Sequence, residues 1–373
     1  MNPRSDEFLP RDANQQSLPE FTSVPAAIGL HMRKRQWSQS DLARVLGWSN
    51  QALSDLINGR SRLRPNEALD LSHAFGGRAV DWLATQVRFD VAHEFQLEGV
   101  SQRLSDIASR ARVEEKLPTR ELIRRGTLPD ADPSEIENAA LELLEIDTFD
   151  DEIPFSASAR RSDRDHIPSR QQLAWVAEAR RKVAIELPKL APNHALISLG
   201  ESLSTTIRTQ NDLRELPKRF AELGVALAFV PALSGSKIDG VCTIVNMHPL
   251  IAISGRGGRA DKVMFTIAHE LAHLTLGHLD MQSMFVSDGD SQSGALTDVR
   301  EDQADLQAAE WLIADFDELR GRPITWSRIV DFADRRGISE SLVIGRLQKE
   351  GLIPWNSQFN KRIPSVMETL MSW

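Results

Sequence analysis

The sequence predicts a mainly α-helical protein with one small antiparallel β-sheet, an α+β fold class. Apolar residues with helical periodicity, interrupted by Gly and Pro, cover most of the 373 residues. Short Val/Ile-rich runs bounded by Gly, Pro and Asn occur only within residues 224–254. An apolar helical pattern that follows them carries two histidines one turn apart. The sheet and this helix are therefore predicted to form the chemical core.

Composition limits the class of protein. The hydrophobic fraction is 41% and the charged fraction 26%, as in globular proteins, and no stretch approaches the ~18 apolar residues of a membrane span. Cys242 is the only cysteine, which excludes an intramolecular disulfide and a Cys-rich zinc site. With a polar N-terminus that lacks a secretory signal, these features predict a cytoplasmic protein with no membrane partner. The net charge of −9 excludes general coating of nucleic acid but leaves room for a local basic surface.

Changes in pattern divide the chain into five segments. Residues 1–22 are polar and aperiodic, which predicts a flexible arm. The remaining segments are predicted as a bundle of short helices (23–94), a helical linker region (95–217), the chemical core (218–317) and a C-terminal helical subdomain (318–373).

The segment SQSDLARVLGWSNQALSDLINGR, residues 38–60, has the spacing of a helix-turn-helix. Ala43 lies in the first helix, Gly47 at the turn and Ser49 at the N-cap of the second helix. A small alanine and a turn glycine allow two helices to cross closely, so a DNA-binding module is predicted. The residues expected to face inward from the second helix are Leu53 and Leu56.

The exposed, N-terminal part of the second helix carries the residues predicted to meet DNA. Asn50 and Gln51 are the base-contacting candidates, because Asn and Gln can bond adenine with two hydrogen bonds in the major groove. Asp55 is expected to weaken affinity or to select against some bases. Modules of this kind bind two half-sites, so operator DNA and a homodimer are predicted. The other predicted DNA-facing residues are Gln39, Ser49, Ser54, Asn58, Arg60, Arg62 and Arg64.

The strongest chemical motif is HELAH, residues 269–273. It places His269 and His273 at i and i+4 on one helix face, so both can bind one Zn²⁺, with Glu270 beside them as a base. The surrounding VMFTIAHELAHLTL is apolar, and burying these polar groups there without a metal would be unfavourable. The pattern predicts metal-assisted peptide hydrolysis, in which Glu270 takes a proton from water and passes it to the leaving amine.

A catalytic zinc centre needs a third protein ligand. Leu279 occupies the position at which metzincin-type sites have their third histidine, so this chain is not predicted to be of that class. Glu301, in the helical segment VREDQADLQAAEWLI, is the predicted third ligand, and Asp305, one turn on, is predicted to orient a ligand histidine. The competing candidates are Asp280, Asp298, Asp302 and Glu310.

Tyrosine is absent, so another residue type must stabilise the oxyanion of the reaction. His278 is taken as the candidate, and His248 and Arg256 remain alternatives. The run PLIAIS, residues 249–254, is expected to accept an extended substrate as an added strand.

Two family resemblances cover nearly the whole chain. Residues 24–94, with the motifs LINGR and AVDWLATQ, resemble Xre/Cro-type helix-turn-helix domains and more closely the HigA-type antitoxins. HPLIAIS, RADKVMFTIAHELAHLTLGH and EDQADL resemble the ImmA/IrrE family of zinc metallopeptidases, which is gluzincin-like. PTRELIRRG, ELGVALAFVP and GISESLVIGRLQKEG resemble proteins in which the two are fused. The resemblance implies His269, His273 and Glu301 as ligands and Glu270 as the base.

The resemblance also implies a function. Family members cleave a helix-turn-helix repressor, so the expected protein is a transcriptional regulator with a zinc-dependent endopeptidase domain. It would control a toxin–antitoxin, phage or stress operon by cleaving itself or a neighbouring repressor, with a HigB-like toxin as a further partner. One alternative is a non-proteolytic HigA-like antitoxin or autorepressor that uses the peptidase fold as a sensor or toxin-binding scaffold. A general peptidase unconnected to DNA is another.

The C-terminal segment predicts two helices split at RGIS, residues 336–339. Thr325 and Ser339 are the expected N-caps. A packing subdomain is the favoured interpretation. A second DNA-contacting module is the alternative, because Ala333, Gly337 and Ser339 repeat the helix-turn-helix spacing.

Overall fold

The structure, a computed structural model, is mainly helical with one small sheet, which confirms the predicted fold class in its main features. The chain forms two compact units, residues 1–106 (unit 1) and 107–373 (unit 2). The predicted arm, residues 1–22, lies outside the described residues. None of the described helices is both long enough and apolar enough to span a bilayer. The residues that the structure describes are 23–155, 168–183, 186–279, 284–287 and 299–373.

Unit 1 is a bundle of short helices around an apolar core. Serine N-caps begin its first three helices and accept backbone N–H groups, which satisfies donors that a helix start leaves open. Leu53 and Leu56 are buried, as predicted. The helices are α1 (Val24–Arg35), α2 (Gln39–Leu46), α3 (Asn50–Ile57), α4 (Pro65–Phe75), α5 (Ala79–Glu94) and α6 (Val100–Lys116), within which the division between the units falls.

Unit 2 surrounds a small sheet with helices. The elements before and within the sheet are α7 (Thr119–Arg125), α8 (Pro133–Leu144), α9 (Arg170–Arg181), α10 (Asn193–Thr206), α11 (Gln210–Arg214), α12 (Leu216–Glu222), β1 (Ala226–Phe229), β2 (Gly240–Val245) and β3 (His248–Ile253). The elements that follow are α13 (Ala260–Thr275), β4 (Met284–Ser287), α14 (Val299–Ile313), α15 (Trp326–Arg336), α16 (Glu340–Lys349) and α17 (Met367–Leu370), with 3₁₀ turns at Asp317–Leu319 and Gln358–Arg362.

The sheet is mixed rather than purely antiparallel, so this part of the prediction was wrong. Its strand order is β1-β3-β2-β4. β2 pairs antiparallel with both β3 and β4, whereas β1 pairs parallel with β3. After β1 the chain first forms β2, and β3 then inserts between these two strands. β3 runs antiparallel to β2 and therefore in the same direction as β1. Because both edges of β3 are already paired, the expected addition of a substrate strand to residues 249–254 was also wrong.

Alternating residues of β3 send their side chains to the two faces of the sheet. Ile251 and Ile253 belong to the core shared with α13, whereas Leu250 and Ala252 belong to the core shared with α8 and α9. On the second face the Trp175 indole donates to the carbonyl of Val230 at 2.8 Å. Helices from the predicted linker region thus supply part of the core on both faces, since α10 and α11 contribute to the core on the α13 side.

The C-terminal helices α15 and α16 have the predicted N-caps, Thr325 and Ser339. Gly337 ends α15 with φ 67°, in the left-handed region that favours glycine. α16 is largely buried, and at Gly345 any side chain would collide with Asp261 of α13. A helix packed this closely is not available to a DNA groove, so the structure favours the packing subdomain.

Candidate functional site

The helix-turn-helix of unit 1 is formed by α2, a tight turn and α3. Gly47 has φ 68°, and the Trp48 backbone N–H donates to the carbonyl of Ala43 at 2.9 Å. Ser49 Oγ accepts from the backbone N–H of Ala52 at 3.1 Å, which caps α3. The Trp48 indole donates to Asp70 Oδ2 at 2.9 Å and so ties the turn to α4. These contacts hold α3 in place with its polar face outward.

The structure places the predicted base contacts Asn50 and Gln51 on α3 together with Ser54 and Asp55, and Asn58, a predicted phosphate contact, is the C-cap of this helix. Asn50, Gln51 and Asn58 are exposed, and Ser54 and Asp55 are half-buried. Gln51 Nε2 donates to Asp55 Oδ1 at 2.9 Å. Asn58 Nδ2 donates to the carbonyl and the hydroxyl of Ser54 at 2.7 and 3.1 Å. This face therefore presents two hydrogen-bonded pairs of side chains, Gln51 with Asp55 and Asn58 with Ser54.

The predicted phosphate contacts are exposed and each arginine has an acidic neighbour. The Arg60, Arg62 and Arg64 side chains are 66%, 78% and 72% exposed. Their neighbours are Asp55 at 3.6 Å, Asp90 at 3.0 Å and Glu67 at 2.7 Å, respectively. Gln39 is exposed as the first residue of α2. DNA phosphates would have to compete with these acids for the three arginines.

In unit 2 the structure brings the three predicted metal ligands together. The ligand atoms of His269, His273 and Glu301 all lie within 4.8 Å of one another. Glu301 Oε2 lies 3.2 Å from His269 Nε2, and Oε1 lies 3.3 Å from His273 Nε2. The two Nε2 atoms are 3.0 Å apart. Ala304 and Ala308 are buried on α14, and their small side chains allow this helix to pack closely against α13. These three residues form a group that could hold one metal ion.

Both ligand histidines have a partner at the nitrogen that faces away from this group. His269 Nδ1 lies 2.9 Å from Asp305 Oδ1, as the sequence suggested. His273 Nδ1 lies 3.0 Å from His278 Nδ1, and His278 Nε2 lies 3.2 Å from Gln303 Oε1. Such partners set the tautomer and orientation of a ligand histidine. His278 thus lies behind His273, and its oxyanion role stays a prediction; no sequence signal distinguished Gln303.

Glu270 is fully buried beside the ligand histidines and against the start of β2. A Cβ at Gly240 would lie 2.7 Å from Glu270 Oε1 and 2.6 Å from Thr266 Cγ2, so only glycine leaves space for this carboxylate. The sequence carried no signal for this role of Gly240, which depends on long-range packing.

The remaining candidates are not members of the His-His-Glu group or lie outside the described residues. His248 begins β3, and Arg256 Nε donates to Asp239 Oδ1 at 2.8 Å. Asp302 and Glu310 are exposed on α14 and are not part of the His-His-Glu group. Two candidates lie outside the described residues, namely Asp280 and Asp298.

The electrostatics of the group favour a positive charge. Burial lowers the pKa of His269, but its hydrogen bonds to Asp305 and Glu301 outweigh burial and raise that pKa to about 10. Burial raises the pKa of Glu301, whereas its hydrogen bonds to the two histidines lower it to about 2. Burial lowers the pKa of His273. An ionised carboxylate beside two imidazoles is a donor set of the kind that a divalent metal ion requires.

These pKa values predict that binding Zn²⁺ releases a proton. At pH 7 His269 is protonated, since its pKa is raised to about 10, and Glu301, with a pKa of about 2, is not. The metal must displace the His269 proton, so we expect release of about one proton per Zn²⁺ and an affinity that falls as pH falls. Calorimetry in buffers of different protonation enthalpy measures this release. Asp305→Asn removes one of the hydrogen bonds that raise this pKa, so proton release should begin to decline at a lower pH than in the native chain; identical pH profiles of release in the two proteins would contradict the assignment.

Residues 31–83 match the model of a helix-turn-helix family. The matched range begins within α1 and ends within α5, and it contains all of α2 and α3. This finding confirms the predicted helix-turn-helix and defines the protein as a DNA-binding regulator. A comparison with curated proteins found no match.

Proposed function

We propose that this regulator combines operator binding by unit 1 with zinc-dependent peptide hydrolysis by unit 2. The observation that carries the proposal is the convergence of His269, His273 and Glu301 beside the buried Glu270. Two histidines of an HExxH helix and one carboxylate are the ligand set of catalytic zinc centres that leave a position for water. The resemblance of unit 2 to ImmA/IrrE peptidases supports the same chemistry.

The residues of this group fit zinc in chemistry and in access. His269 and His273 are buried, whereas the Glu301 side chain is 35% exposed, so the group is not sealed from solvent. Bound zinc would act as a Lewis acid and lower the pKa of water. Asp305 and His278 would hold the two ligand rings in orientation through their Nδ1 atoms.

Glu270 would perform the proton transfers. It follows His269 directly on α13, and its carboxylate occupies the space that the missing side chain of Gly240 leaves. One carboxylate oxygen would take a proton from the attacking water and then give it to the leaving amine nitrogen. The rigid, buried position would keep the carboxylate aligned through both steps.

The proposed substrate is a helix-turn-helix repressor, either this chain or a neighbour. Its cleavage would relieve repression of a toxin–antitoxin, phage or stress operon, and a HigB-like toxin would be a further partner. Unit 1 would bind operator DNA as a homodimer, because two copies are needed to contact two half-sites.

The test is to incubate the full chain, loaded with zinc or stripped with EDTA, with repressors encoded nearby and with a proteome-derived peptide library. Mass spectrometry should then find fragments only in the zinc-loaded samples, and zinc added back should restore them. If every polypeptide stays intact although zinc is stoichiometric and DNA is bound, peptide hydrolysis is excluded and unit 2 is a scaffold of an antitoxin or autorepressor.

A further inference from the structure

The exposed face of α3 contains a pair of side chains whose chemistry allows only one arrangement. Gln51 Nε2 donates to Asp55 Oδ1 at 2.9 Å. An ionised carboxylate has no proton to donate, so only the amide nitrogen of Gln51, and never its carbonyl oxygen, can face Asp55 favourably. Asp55 therefore sets which way the Gln51 amide is turned.

Asp55 is itself held in place and its charge is compensated. Its carboxylate lies 3.6 Å from Arg60 Nη1, and its side chain is 30% exposed. Its backbone carbonyl accepts from the N–H groups of Arg60 and Ser61 at 2.8 and 3.1 Å, which anchors the end of α3. The carboxylate thus remains on the DNA-facing side as a fixed acceptor.

We infer that Asp55 is a specificity-determining residue that orients Gln51 to select adenine. This inference rests on the DNA binding of unit 1. With one N–H bound to Asp55, Gln51 keeps its carbonyl oxygen and its second N–H for a base. Adenine offers a matching donor at N6 and acceptor at N7, whereas guanine offers two acceptors, N7 and O6. The Gln51 carbonyl oxygen would then face O6 of guanine, oxygen against oxygen.

The expected size of the effect follows from the readout of a single base. A good two-bond contact discriminates against the wrong base by roughly ten- to a hundredfold. Replacing Asp55 with asparagine removes the constraint, because an amide can either donate or accept and the Gln51 amide can then turn over. We therefore expect Asp55→Asn to lose most of the preference for adenine over guanine at one position of the site.

The experiment selects bound sequences from a library of random DNA duplexes with the full-length chain. The variants are Gln51→Ala, Asp55→Asn and the double substitution. Asp90→Asn is the matched control. Asp90 pairs with Arg62, so this substitution removes the same charge from unit 1 but leaves the Gln51–Asp55 pair intact. Both single substitutions should lose the adenine preference at the same position, and the double should lose no more. The control should bind all sequences more tightly with its base preferences unchanged.

Replacement of the selected adenine by 7-deazaadenine provides the second measurement. It removes the N7 acceptor, so it should weaken binding of the native chain but not of Gln51→Ala. Circular dichroism must first show that the variants keep native helicity. The inference is overturned if Asp55→Asn leaves every base preference unchanged, or if it changes a cytosine position, which would make Asp55 a direct base contact. Failure of the native chain to select any sequence would instead count against DNA binding by unit 1.

Discussion

Replacing Glu270 with glutamine is expected to abolish zinc-dependent peptide hydrolysis while zinc remains bound. Glutamine has nearly the same shape but cannot take a proton from water, and a positioned general base contributes roughly 10²- to 10⁴-fold to rate. Glu270 is fully buried, so solvent cannot supply a substitute base from that side. The measurement is the rate of fragment formation with each protein, together with the zinc content after gel filtration.

The matched control for this experiment is Glu310→Gln. Glu310 is exposed on α14 and is not part of the His-His-Glu group, so the same chemical change there should leave the rate unaltered. Cleavage by Glu270→Gln at the native rate would show that another group is the base. Loss of both cleavage and zinc would show that Glu270 supports metal binding instead.

Replacing His273 with alanine is expected to remove zinc at micromolar metal and with it all hydrolysis. Four-ligand structural sites bind Zn²⁺ with roughly 10–16 kcal/mol, so one lost ligand should lower affinity by about a hundred- to a thousandfold. Asp305→Ala, which removes only a partner of His269, should lower it by about ten- to a hundredfold. Competition with a chromogenic chelator measures both affinities.

The control for the histidine experiment is His194→Ala, because His194 is exposed on α10 and lies outside the His-His-Glu group. It should bind zinc as the native chain does. Equal affinities of the native chain and His273→Ala would exclude this group as the zinc site. Equal losses in His273→Ala and Asp305→Ala would show that Asp305 is a ligand rather than a partner of one.

The features that the sequence predicted well are those determined within one or two turns of chain. The caps Ser49, Thr325 and Ser339, and the turn at Gly47, follow from local hydrogen bonds and backbone preferences. The pairing of His269 with His273 follows from the helical repeat alone. For this reason both the helix-turn-helix and two members of the His-His-Glu group were visible before any tertiary information.

The features that required the structure depend on residues distant in the sequence. Glu301 could only be ranked among several acids, because its position beside the histidines depends on how α14 crosses α13. Gly240 against Glu270 and Gln303 against His278 are contacts between separate elements. The parallel pairing of β1 with β3 likewise depends on where a later hairpin inserts.

By itself, the sequence determined that this protein has a helix-turn-helix and an apolar helix carrying HExxH, because helical periodicity, capping and i,i+4 spacing are local properties. Only the tertiary structure decided which carboxylate completes the group and which nitrogen of each histidine faces it. These depend on helix crossings and side-chain hydrogen bonds, whose energies are set by three-dimensional packing rather than by position along the chain.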